Sequence, residues 1–183
     1  MRPPCRTAGE AASIRGGEMP GESIETEAVL PATAKRIYDA WLDADDHASM
    51  TGGAAASEGA VIGARFTAWD GYIEGRHLLL EPGRRIVQAW RTTDFPAGAA
   101  DSRLELRLSR TARGTRVTIL HSRIPPSQGA SYREGWREHF FEPMRRFFAA
   151  EARRRARSAR PPWVKAGKAR RTARRRDARS QRR

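Results

Sequence analysis

Four histidines, His47, His77, His121 and His139, are the side chains of this 183-residue sequence best suited to exchanging a proton near neutral pH. His121 alone sits in a register that says where it points. In GTRVTILHSRIP (Gly114 to Pro125) it continues the alternation of Val117 and Ile119, which directs it into the apolar face of a strand. Burial there lowers an imidazole's pKa, and the residue can then be a satisfied core histidine, a ligand contact or a proton shuttle. The four histidines show no metal-ligand spacing: HExxH and Cys/His clusters are absent from the sequence, so no metal site is predicted. The G-x-S-x-G, G-x-G-x-x-G and P-loop patterns are absent as well, which removes the common hydrolase, dinucleotide and nucleoside-triphosphate signatures. No catalytic residue is assigned and no cofactor is implied.

Aromatic side chains form the second constellation. GWREHFFEPMRRFF (Gly135 to Phe148) concentrates five of the fourteen Phe, Trp and Tyr residues. On a helical wheel Trp136, Phe140, Phe141, Met144, Phe147 and Phe148 share one sector, broken by Arg137, with Glu138, Glu142, Arg145 and Arg146 opposite. Such a face is core packing first; part of it can also line a cavity. The expected division places Phe147 and Phe148 in the core, with Trp136, Phe140 and Met144 at a cavity border. Tyr72, Glu74, Arg76 and Leu78 share one face of a strand, Glu74 and Arg76 reading as a surface network, while Trp69 and Trp90 flank that region. The candidate ligand-binding set is therefore Trp69, Tyr72, Trp90, His121, Trp136, Phe140 and Met144.

These residues need elements to hold them. SIETEAVL (Ser23 to Leu30) alternates as a half-buried strand, and ATAKRIYDAWL from Ala32 followed by DADDHASMTGG reads as two short helices ending at Gly52-Gly53. Five strand-like runs follow between Ala60 and Ile124: AVIGARFTAW, YIEGRHLLLE, RRIVQAWRTT, SRLELRLSRT and TRVTILHSRI, separated by turn residues. Leu104, Leu106 and Leu108 alternate with Arg103, Glu105 and Arg107, so one sheet face is buried. The aromatic helix covers that face, with a kink predicted near His139 to Pro143 because proline forfeits a backbone hydrogen bond. The order is strand, two helices, five strands, long helix, an α+β class.

Charge divides the chain. Residues 153–183 hold fifteen Arg and Lys against one acid, Asp177, whereas residues 1–152 carry twenty of each sign, so the net +14 belongs to the final segment. We expect an unstructured leader at 1–21, one folded domain at 22–152 and a basic, disordered tail at 153–183. Arg170, Arg171, Arg174, Arg175 and Arg176 would give the tail weak, salt-sensitive binding to nucleic acid or another polyanion, independent of base sequence. The single cysteine, Cys5, excludes an internal disulfide. With no apolar run near the ~20 residues of a membrane span and no secretory signal pattern, a cytoplasmic location is expected.

At this point the chain resembles the START-like superfamily, also called SRPBCC. Within it, the chain is most similar to the family of the C-terminal domain of the heat-shock-protein-90 ATPase activator. The residues that carry the resemblance are DGYIEGRHLLLEPGRRIVQAWR (Asp70 to Arg91), DFPAG (Asp94 to Gly98), GTRVTILHSRIP and GWREHFFEPMRRFF, in that order. The resemblance implies a helix-grip fold, a curved antiparallel sheet wrapped around a long C-terminal helix, with a cavity that in many superfamily members holds an apolar ligand. It also implies two candidate roles: a non-enzymatic module for a small apolar or amphipathic ligand, or a protein-interaction module acting on a chaperone or other partner. The eukaryotic activator also carries an asparagine-rich motif in a separate chaperone-binding domain. This sequence contains no asparagine, so co-chaperone activity is not simply carried over.

Overall fold

Strand β1 (Glu22–Leu30) buries Ile24, Ala28 and Leu30 on one side and leaves Glu25 and Glu27 on the other, following the alternation read from the sequence. The computed structural model describes residues 21–159. Helix α1 (Ala34–Leu42) begins where Thr33 Oγ1 accepts from the Arg36 N–H at 3.2 Å. The cap places its start two residues later than Ala32, because Thr33 satisfies a first-turn donor that neither Pro31 nor Ala32 can. Asp43 ends α1 and caps α2 (Ala44–Thr51), accepting from the Asp46 N–H at 2.8 Å. Arg36 then ties three helices together, pairing with Asp46 at 2.6 Å and with Glu151 of the last helix at 3.1 Å.

The sheet consists of β1, β2 (Ala56–Ser57), β3 (Arg65–Ala68), β4 (Ile73–Glu81), β5 (Arg85–Thr92), β6 (Ser102–Thr111) and β7 (Gly114–Ile124). Its order is β1-β7-β6-β5-β4-β3-β2, every pair antiparallel. The five-strand meander is as predicted, but its first run is much shorter than Ala60–Trp69. Val61 and Ile62 are 61% and 65% exposed, in a turn that leads to Gly63 at φ 91°. The apolar pair read as strand, yet the left-handed glycine that follows breaks the extension. Ile73, Ile86, Trp90, Leu104, Leu106, Val117 and Ile119 form the inner face. On the outer face Glu105 is almost fully buried beneath Arg103 and Arg107, each at 2.7 Å, so aliphatic arginine stems shield this side of the sheet.

The covering helix is one continuous run in three parts: α3 (Gly129–Gly135), a π-helical turn (Trp136–Phe141) and α4 (Glu142–Ser158). Within it the Glu142 N–H bonds the Arg137 carbonyl, five residues back. Where the sequence predicted a kink, near His139 to Pro143, the helix changes register through this π turn. Pro143 has no N–H to offer either the α or the π partner, so a change of register there costs no additional bond. In an α-helix each four-residue step overshoots a turn by about 40°. The wider π turn absorbs that excess between Trp136 and Phe140, and Trp136, Phe140, Met144 and Phe148 are all at most 7% exposed. The same rotation moves Phe147 off the seam. Expected in the core, it is half-buried beside Phe148, with the Arg36 guanidinium 5.8 Å from its ring. Helix α4 also continues to Ser158, past the boundary anticipated at residue 152, with Arg155 bonded to Glu151 at 2.8 Å. Cys5 and the five tail arginines lie outside the described residues.

Candidate functional site

A cleft of about 390 Å³ opens where the π turn crosses the β3–β4 end of the sheet. Trp69, Tyr72, Ile73 and Trp90 come from the sheet side, Tyr132, Trp136 and Phe140 from the helix, and Ser131, Glu134, Glu138 and His139 form a polar rim. Five of the seven candidate residues thus share one lining. Tyr72, 40% exposed, sits at the edge and donates its hydroxyl to Asp94 Oδ2; burial and that carboxylate push its pKa up to about 12. Trp136 and Phe140 lie with ring centres 4.5 Å apart, Trp90 is 5.7 Å from Trp136, and Trp69 contacts Phe140 at 6.3 Å. Trp69 and Asp70 adopt positive φ of 53° and 57°, a conformation that costs a non-glycine residue about 1–3 kcal/mol and clusters at binding sites. Gly53 lies against this turn so closely that a Cβ on it would stand 2.8 Å from Trp69 Cα.

Met144 and His121 do not line the cleft. Met144, expected at its border, is fully buried one helical step below Phe140, in the core beneath the π turn. His121 points inward as its register requires and is fully buried behind Trp90 and Trp136. Ser102 Oγ donates to the Trp90 carbonyl at 2.6 Å, so it must accept from His121 Nε2–H, 2.7 Å away. Nδ1 is therefore an acceptor and receives the Trp136 indole N–H at 3.3 Å. Both ring nitrogens are satisfied in one neutral tautomer, and burial lowers the pKa to about 3. His121 orients Trp136, and through Ser102 the backbone of Trp90; it does not itself reach the cleft.

Sequence reasoning missed a second polar group behind the cleft. Trp41, Gln88, His47 and His77 line a small chamber of about 20 Å³ that shares Ile73, Trp90 and Phe140 with the cleft wall. A signal for His77 was present: with Glu74, Arg76 and Leu78 facing out, His77 must face in. Tyr132 was also missed. Its hydroxyl lies 2.7 Å from Thr92 Oγ1, and its ring packs edge-on against Trp90 at 5.4 Å.

A curved antiparallel sheet closed by a long C-terminal helix, with an aromatic cleft at one end, is the helix-grip architecture of START-like proteins. Residues 31–149 match the family described as "Activator of Hsp90 ATPase homolog 1-like protein". The chain belongs to that family. It is 28% identical over 88 residues to an activator of 90 kDa heat shock protein ATPase homolog from Dictyostelium discoideum, an alignment covering 48% of this chain and 23% of that protein. This chain thus matches only about a quarter of the length of that curated relative. Among solved structures, an HSP90 activator from Plasmodium falciparum superposes with TM-score 0.57 at 19% identity, over 67% of this chain and 92% of that one. A protein from Chromobacterium violaceum superposes with TM-score 0.55 at 27% identity, over 69% and 96%.

Proposed function

We propose that the protein binds a small apolar or amphipathic molecule in the cleft between the π turn and the sheet. The observation that carries this reading is the lining: four indole and phenyl rings, Trp69, Trp90, Trp136 and Phe140, around a volume of about 390 Å³ with a polar rim. Concave sites of this size, mostly apolar with a few polar groups, are the usual form of small-molecule sites. The neutral probe N-phenyl-1-naphthylamine is expected to bind with enhanced fluorescence and with quenching of the cleft tryptophans, and Phe140→Ala is expected to weaken it several-fold. A probe signal unchanged in Phe140→Ala and Trp136→Leu, or no signal at all, would refute the reading.

Family membership supports a second reading, a chaperone-related interaction through this domain. Stimulation of an Hsp90 ATPase by the purified chain, or its absence, decides that reading independently of probe binding. The arginine-rich segment, including Arg170, Arg171, Arg174, Arg175 and Arg176, would add weak binding to nucleic acid that falls steeply with salt. Equal binding after deletion of residues 160–183 would remove that role. No helix among the described residues is long and apolar enough to cross a membrane.

A further inference from the structure

The chamber behind the cleft has a hydrogen-bonding pattern that can be worked out atom by atom. Trp41 Nε1–H can only donate, so the Gln88 atom facing it at 3.2 Å is the carbonyl oxygen. The Gln88 amide nitrogen therefore faces His77 Nδ1 at 3.1 Å and donates to it. That fixes His77 as the tautomer with its proton on Nε2. His47 is the mirror case. Its Nδ1 lies 3.2 Å from the Trp41 carbonyl, which can only accept, so Nδ1 carries the proton and Nε2 presents a lone pair. His47 is 8% and His77 2% exposed; neither Nε2 touches solvent, and neither has a partner among the described residues. His47 and His77 both line the chamber, and the two residues hold one unpartnered acceptor and one unpartnered donor among the described residues.

We infer that this chamber is a hydroxyl site: it takes a single O–H group that donates to His47 Nε2 and accepts from His77 Nε2–H, carried by a neutral amphiphile whose apolar body fills the cleft. This rests on the cleft being a binding site. Size limits the group, since a water-sized occupant needs roughly 10–15 Å³ and the chamber offers about 20 Å³. Charge limits it further. A carboxylate presents only acceptors and would face the His47 lone pair, while an ammonium presents only donors and would face the His77 N–H. Burial lowers the pKa of both rings, which favours the neutral pair. Ile73, Trp90 and Phe140 line both the chamber and the cleft, so a head group in the chamber and an apolar chain in the cleft would meet at these three side chains.

The test uses two probes of nearly equal shape, 4-butylphenol and 4-butyltoluene, each displacing N-phenyl-1-naphthylamine at pH 7. In the native protein the phenol is expected to bind about tenfold more tightly, a preference of about 1.4 kcal/mol. His47→Leu and His77→Leu should each abolish the preference while leaving the toluene affinity unchanged or higher. Should a leucine variant fail to fold, imidazole ¹⁵N shifts of the native protein serve instead. The phenol should move His47 and His77 Nε2 with little change at His121. Equal affinities in the native protein, or a preference that survives both substitutions, overturns the hydroxyl site and leaves the cleft reading standing. If neither compound displaces the probe although the probe itself binds, the hydroxyl site also falls. If the probe does not bind at all, both readings fall together.

Discussion

His121, His77 and His47 are all buried imidazoles, the first two on strands of one sheet and the third on α2, yet their surroundings differ. His121 has both nitrogens engaged, by Ser102 and the Trp136 indole, and stands in a packed wall. His47 and His77 each have one nitrogen engaged and the other buried without a partner among the described residues. Burial of a histidine therefore says little about its role. What separates a structural imidazole from one with binding capacity is whether the second nitrogen has a partner, because an unmet buried polar group costs about 1–3 kcal/mol.

The packed core should fail most severely when a fully buried ring is removed. Phe148→Ala is expected to cost about 3–5 kcal/mol in urea unfolding, and a loss near 1 kcal/mol would mean that this end is as loosely filled as the cleft. His121→Leu should cost about 2–4 kcal/mol, since it strands the Trp136 N–H inside the wall. His47→Leu should stay within about 1 kcal/mol of the native protein, because it removes an unmet acceptor along with one bond. Equal losses at the two positions would erase the distinction between them.

Acid provides a graded version of the same comparison. All three imidazoles are lowered from 6.5 by burial, His121 to about 3. Below pH 6.5 the unfolded chain binds protons that the folded chain refuses, so stability is lost as pH falls. Each fully shifted histidine contributes a slope of up to about 1.4 kcal/mol per pH unit. For His121 this persists to about pH 3, and His121→Leu should flatten the profile of unfolding free energy between pH 6 and 4. An unaltered slope would show that His121 is protonated in the folded state. A similarly small effect is expected at Phe147→Ala, about 1 kcal/mol, because that ring is only partly buried. A loss matching Phe148→Ala would place Phe147 back on the core seam.

Much of the architecture was legible in the sequence because it rests on periodicity. The alternation of Val117, Ile119 and His121, the leucines of β6 and the two short helices all appear where their spacing puts them. The cleft was legible in part, since Trp69, Trp90, Trp136 and Phe140 announce themselves by ring size. Met144 and Phe147 were misplaced for a common reason. A wheel at a constant 100° per residue cannot represent a π turn, although the four-residue series of Trp136, Phe140, Met144 and Phe148 contained the clue. The chamber was harder to see. Its donor depends on which atom of Gln88 meets Trp41, a contact between α1 and β5 that no local pattern encodes.

The pairing of β1 has a further consequence, for the order in which the chain can be built. Strands β3 to β7 meet neighbours that follow them directly, so their hairpins can close as the chain emerges from the ribosome. Strand β1 is the first strand made, but its only partner among the described residues is β7, the last strand, with Glu22 opposite Ile124 and Leu30 opposite Thr115. Until synthesis has passed Ile124, the apolar side of β1 has no sheet to join. The covering helix is made later still, so the inner face of the meander stays uncovered over the same interval. Such late, non-local closure slows folding and exposes apolar surface in the meantime. In the nascent chain the longest exposure to aggregation therefore falls on β1, and its three glutamates, Glu22, Glu25 and Glu27, put negative charge along that waiting strand.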